Sequence, residues 1–199
     1  MNIINSFVCY LCIHNIIEEN DEELYHYGIY TFFLLVSNIV FSLFLLFIVD
    51  SLFVGIQFLV LLIIVRSYAG GYHSDSAVLC FVLSQSSILT GAYFSQLLAA
   101  HVSPENSAFF ILLNFLLSTL IIFLSPQEAK ENPLELSDRK RFKLILLRLY
   151  IIINGLGILL NFANYTVFLC VILTLNTVIL LSFAVKLIKS RLLSIRHLK

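Results

Sequence analysis

Residues 28–49 read GIYTFFLLVSNIVFSLFLLFIV, without one charged side chain. As an α-helix rising about 1.5 Å per residue, this run is ~30 Å long and matches the hydrocarbon core of a bilayer. Similar runs follow at 52–65, 77–100, 108–124, 142–162 and 165–187, interrupted by Asp50, 66–76, 101–107 and 126–141. Hydrocarbon offers no partner to an open backbone N–H or C=O, so each run is expected to be helical. The pattern predicts an all-α integral membrane protein with about six hydrophobic helical segments. Five are long enough to span, whereas 52–65 supplies only ~14 apolar residues, ~21 Å of helix, and reads as short, tilted or re-entrant. Composition agrees. Of 199 residues 60% are apolar, and only 12 are basic and 12 acidic, with a mean hydropathy of +0.98; a soluble domain is about a quarter charged. Zero net charge, and no basic stripe interleaved with aromatics, argue against nucleic acid as a partner.

Ahead of the first run, residues 1–17 set Ile3, Ile4, Phe7, Val8, Leu11 and Ile13 among Asn2, Asn5, Ser6, His14 and Asn15. That spacing suits an amphipathic helix lying in the membrane interface, too polar to span. Glu18, Glu19, Asp21, Glu22 and Glu23 then form a solvated linker. No Lys or Arg precedes an apolar stretch here and no small-residue cleavage site follows, so a removable signal peptide is not expected. Orientation comes from the basic residues. Lys130, Arg139, Lys140, Arg141, Lys143 and Arg148 surround one loop, and Lys186, Lys189, Arg191, Arg196 and Lys199 fill the tail, so both belong inside. The connections at 50–51, 101–107 and 161–164 carry no Lys or Arg and fit the outside. Both termini and the 66–76 segment then face the cytoplasm. The chain reads as a single polytopic domain over 1–199. Within it, 1–27 is the interfacial helix and linker, and 28–124 holds four segments and the 66–80 region. The basic loop occupies 125–141, and 142–199 the last hairpin and tail. Cys9, Cys12, Cys80 and Cys170 are scattered and read as free thiols; Cys9-x-x-Cys12 has no second pair and reads as small residues on a helix.

The segment Arg66-Ser67-Tyr68-Ala69-Gly70-Gly71-Tyr72-His73-Ser74-Asp75-Ser76 precedes the run that contains Cys80. A His and a Cys at a membrane boundary fit nucleophilic catalysis, because a thiolate near neutral pH needs a base or an imidazolium partner. Seven residues of one continuous helix would part them by ~10 Å, so contact requires a loop that folds back. Gly70-Gly71 permits such a loop, and Ser74, Asp75 and Ser76 are N-cap residue types for a helix carrying Cys80 in its first two turns. Equally, Gly-Gly is a common turn, a loop His is often a surface residue and a buried Cys an inert small hydrophobe. Arg66 either holds a carboxylate, carbonyl or phosphate or anchors the helix at the interface. Cys80, Ser84, Ser87, Gly91 and Ser95 share one helical face, which suits close helix packing or a groove for an extended peptide. On these residues alone a small transporter or a membrane scaffold rivals a peptidase, although no chain of acidic or His residues crosses the bilayer.

The combination R-x3-G-G-x-H-x6-C, here Arg66, Gly70, Gly71, His73 and Cys80, resembles the accessory gene regulator B (AgrB) family of membrane endopeptidases. A loop of the form P-x-x-x-K-x-x-P, here Pro126, Lys130 and Pro133, followed by Arg139-Lys140-Arg141 and Lys143, is similar to the same family. The acidic residues Glu128, Glu131, Glu135 and Asp138 depart from its pattern. The resemblance implies a multi-pass protein of the bacterial cytoplasmic membrane that processes an AgrD-like propeptide in quorum sensing. By it, Cys80 is the nucleophile and His73 the general base and later acid, near the cytoplasmic face. Arg66, Gly70, Gly71, Ser84, Lys130, Pro126 and Pro133 would support the site or bind substrate. A thioester at Cys80 would pass to the propeptide's own Cys to give a cyclic (thio)lactone. The bilayer and a second copy, as a homodimer, are the other expected partners; no metal or organic cofactor is implied.

Overall fold

The computed structural model describes residues 2–14, 16–18, 21–72, 76–103, 105–127 and 135–196. Among them the chain forms the helices α1 (Asn2–Ile13), α2 (Glu22–Ile48), α3 (Leu52–Ala69), α4 (Ala77–Ala99), α5 (Ser107–Leu124), α6 (Leu136–Phe162) and α7 (Val167–Arg196). The six from α2 to α7 are long and apolar enough to cross a membrane, so this is an all-helical multi-pass membrane protein with a short helix ahead of the spans. Packing divides the chain into two compact units, Met1–Phe44 and Leu45–Lys199. In the first, α1 has 12 residues, ~18 Å of helix and too little to span. Asn5 Oδ1 on α1 hydrogen-bonds His26 Nε2 on α2 at 2.6 Å.

The second unit holds α3 to α7, whose ends can be matched by contact. Ser51 Oγ donates to Gln96 Oε1 at 3.3 Å and Gln57 Nε2 to the Tyr165 hydroxyl at 2.8 Å, joining the start of α3, the end of α4 and the turn before α7. At the opposite end the rings of Tyr68 and Phe142 lie 5.9 Å apart. Therefore α3, α5 and α7 run one way and α4 and α6 the other. The second segment, expected to be short, tilted or re-entrant, is not re-entrant. α3 is one helix of 18 residues, ~27 Å long, and its two ends meet opposite ends of the bundle. Arg66 ends the apolar run but not the helix, where a cation in the last turn complements the helix dipole.

α7 is the axis of this unit and packs against α3, α4, α5 and α6. Of its spanning window 61% is buried, against 17 to 44% in those four helices. Where α7 is buried its polar side chains must be satisfied by neighbours, and they are. Asn176, 0% exposed, accepts from the Tyr150 hydroxyl at 2.9 Å and donates to Asn114 Oδ1 and Ser118 Oγ, each at 3.3 Å. Asn154 Nδ2 donates to Ser118 Oγ at 3.1 Å, and Asn114 Nδ2 to the Leu169 carbonyl at 3.1 Å. One network thus ties α5, α6 and α7. On the other flank Thr174 Oγ1 lies 2.6 Å from Ser95 Oγ and fastens α7 to α4.

Intramembrane hydrogen bonds average well under 1 kcal/mol, but removing one partner of a connected set strands the others. Asn176→Ala should cost about 2 kcal/mol in reversible unfolding from mild detergent. Thr119→Ala, which removes an exposed bond to the Phe115 carbonyl, should cost less than about 0.5 kcal/mol in the same assay.

Candidate active site

The boundary end of α3 is shaped by two glycines. The Gly70 N–H closes the helix on the Arg66 carbonyl at 3.0 Å, and Gly70 has φ 74°, a conformation that L side chains rarely adopt. A Cβ there would also collide with the Gln127 carbonyl oxygen. That closeness reflects a bridge: Gly70 pairs with Gln127, whose N–H donates to the Ala69 carbonyl at 2.9 Å. Gln127 follows Pro126, joined to Ser125 by a cis peptide, and its side chain donates to the Leu124 carbonyl at 2.8 Å. Gly71, φ 151°, sits against α7: a Cβ added to it would stand 2.9 Å from Ser182 Oγ and 3.7 Å from Arg66 Nε.

Arg66 turns back on this loop. Its Nη2 donates to the Tyr72 carbonyl at 2.5 Å. The Tyr72 ring lies under Lys189 Nζ of α7, 5.3 Å from the ring centroid, a cation–π contact. Residues 70–72 are thereby held by α3, by α7 and by the turn after α5 together.

α4 is capped by Ser76, whose side chain accepts from the Leu79 N–H at 3.5 Å. The Cys80 N–H donates to the Ser76 carbonyl at 3.0 Å, so the thiol is carried at the end of the first turn. Cys80 is a half-buried free thiol. Cys80 and Arg66 both border a cavity of about 290 Å³ between α4 and α7, with Tyr72, Leu83, Ser84, Ser86, Ser87, Thr90, Val178, Leu181, Ser182 and Val185.

The structure therefore brings together Arg66, Cys80 and Ser84, with Gly70, Gly71 and Pro126 shaping the adjoining loop. His73, Ser74, Asp75, Lys130 and Pro133 lie outside the described residues. The small-residue face of α4 divides by depth. Cys80, Ser84 and Ser87 line the cavity, whereas Gly91 abuts the Phe58 ring of α3 and Ser95 bonds Thr174. The α7 wall went unread in the sequence, because Val178, Leu181 and Val185 look like any lipid-facing residues. Ser182 and Lys189 were the available signals: a hydroxyl inside an apolar run, and a cation one to two turns beyond it.

A family model, accessory gene regulator B, matches residues 2–191 of this geometry's sequence. The chain belongs to the AgrB family. No individual curated protein matches it significantly, and neither does any solved structure. AgrB proteins are known as peptidases, and membership implies a part in processing an AgrD substrate.

If the Gly70–Gln127 approach shapes the site, Gly70→Ala should cost about 1–3 kcal/mol from positive φ and steric displacement. Gly155→Ala, where a Cβ meets nothing within 4 Å, should be neutral or stabilising. Thermal unfolding in detergent distinguishes the two.

Proposed function

We propose that this AgrB protein is a membrane-embedded cysteine endopeptidase whose nucleophile is Cys80 and whose general base is His73. The observation that carries the reading is the shared cavity. It offers a thiol on the first turn of a helix, a guanidinium lining the same cavity and a volume beside it for substrate. His73 follows directly on Tyr72, whose carbonyl Arg66 holds, so Arg66 acts as a positioning residue for the base.

The reaction divides into two acyl transfers. In the first, His73 takes the Cys80 thiol proton and the sulfur attacks the carbonyl carbon of the scissile peptide bond. The S–C bond forms, the C–N bond breaks, and the His73 imidazolium returns the proton to the leaving amine of the propeptide tail. In the second, His73 deprotonates the propeptide's own Cys thiol, whose sulfur attacks the thioester carbon. A new S–C bond forms, the bond to Cys80 breaks, and Cys80 leaves as a thiolate that recovers the proton from His73. The product is a cyclic thiolactone. Because a thioester is exchanged for a thioester, this step is nearly balanced in energy, and the site must hold the internal thiol close while keeping water away. The reading places the pair at the cytoplasmic face by the distribution of Lys and Arg, and it includes the basic residues Lys130 and Arg139 to Lys143 as attractors of an acidic tail. Assembly as a homodimer belongs to the same reading.

The test uses the full chain in proteoliposomes with a synthetic AgrD-like propeptide. Cys80→Ala and His73→Ala should each lower tail release at least about a hundredfold. Cys9→Ser and Cys12→Ser should leave it unchanged. Tail release that survives Cys80→Ala would remove the peptidase assignment from this thiol.

A further inference from the structure

We infer that the groove beside Cys80, beyond Arg66 at its mouth, is a specificity subsite for the side chain that immediately precedes the scissile bond, with Val178 and Thr90 forming its far end. The inference rests on the peptidase reading and goes beyond it, since that reading leaves the substrate residue unspecified.

The argument begins with depth. Cys80 and Thr90 both border the cavity and both lie on α4, so the cavity follows ~15 Å of helix along α4, away from the thiol. α7 runs antiparallel to α4 and supplies Val185 near the thiol and Val178 farther along. Beyond Thr90 the helices close: Gly91 abuts Phe58, and Ser95 bonds Thr174. Thr90, Leu181 and Val185 are themselves exposed, so the cavity is a groove open along one side that starts at Cys80 and ends where α4 meets α7.

Charge decides which part of a substrate enters. Among the described residues Arg66, at the mouth, is the charged residue of the lining; those beyond it are apolar or hydroxylic. An acidic tail would lose its hydration there with no cation to replace it, so the leaving side of the peptide stays at the boundary. The acyl side is different. Once Cys80 is acylated, its sulfur is bonded to the carbonyl of the residue that preceded the cleaved bond. That residue's side chain is then the group nearest to the cavity. A volume of about 290 Å³ is at the small end for ligand pockets and suits one or two side chains rather than a whole ring. The apolar α7 wall favours an apolar side chain, and the hydroxyls of α4 can meet the backbone of the segment that carries it.

The experiment compares two synthetic propeptides that differ only in the residue before the scissile bond, Leu or Ala, with the bond cleaved read from the mass of the released tail. In proteoliposomes, Val178→Phe fills the far end of the groove and should lower the Leu-to-Ala ratio of tail-release rates at least about tenfold. Val178→Ala enlarges it and should raise the ratio for a bulkier Phe propeptide over Ala. Iodoacetamide labelling of Cys80 at the wild-type rate identifies correctly folded variants, and the two opposite substitutions keep the test alive if one misfolds. Ratios within about twofold of wild type in a folded variant that still releases tail would overturn the pocket and leave the nucleophile standing. Tail release by Cys80→Ala would instead overturn the peptidase reading beneath it.

Discussion

Asn176 lies fully buried in the middle of a membrane helix, where an amide without partners has no water to turn to. Its hydrogen bonds to Tyr150, Asn114 and Ser118 therefore fix which faces of α5, α6 and α7 meet. Lipid tails are as apolar as leucine, so hydrophobicity alone does not choose a rotation for α7. Polar pairing does. With Asn176 turned toward α5 and α6 and Thr174 joined to Ser95 of α4, the next turns of α7 present Val178, Leu181, Ser182 and Val185 to the cavity.

The site depends on that rotation at three points. Ser182 sits against Gly71, Lys189 covers Tyr72, and the apolar α7 residues form the wall opposite Cys80. The turn after α5 contributes through Gln127, which pins the end of α3 at Gly70. The candidate nucleophile is consequently placed by a helix that is remote from it in sequence. A site at the boundary of the bilayer gains from this arrangement: its loop is held from several spans, while the cavity reaches into a region where water is scarce.

Much of this architecture was legible in the sequence, and the rest was hidden for identifiable reasons. The spans could be read because Asp50, the 101–107 turn and the basic loop interrupt the apolar runs. The length of α3 was underestimated because Arg66 ends hydropathy before it ends hydrogen bonding. The centrality of α7 was invisible, since buried and lipid-facing residues are equally apolar in a membrane protein. Asn114, Asn154 and Asn176 carried the signal, being polar residues inside spans that must face protein. Arg66, Gly70, Gly71 and Cys80 were legible as a motif, but the pairing of Gly70 with Gln127 joins two distant loops that no local pattern connects.

The central claim is that Cys80, at the mouth of the α4–α7 cavity, becomes covalently acylated by the substrate. It is tested most directly by mass spectrometry of the intact protein after incubation with a propeptide whose internal Cys is replaced by Ala, so that no thiol can resolve the intermediate. The predicted result is an added mass equal to the propeptide without its tail, located on Cys80 and removed by hydroxylamine. Release of the tail with Cys80 left unmodified, or with the adduct on another residue, would contradict the claim.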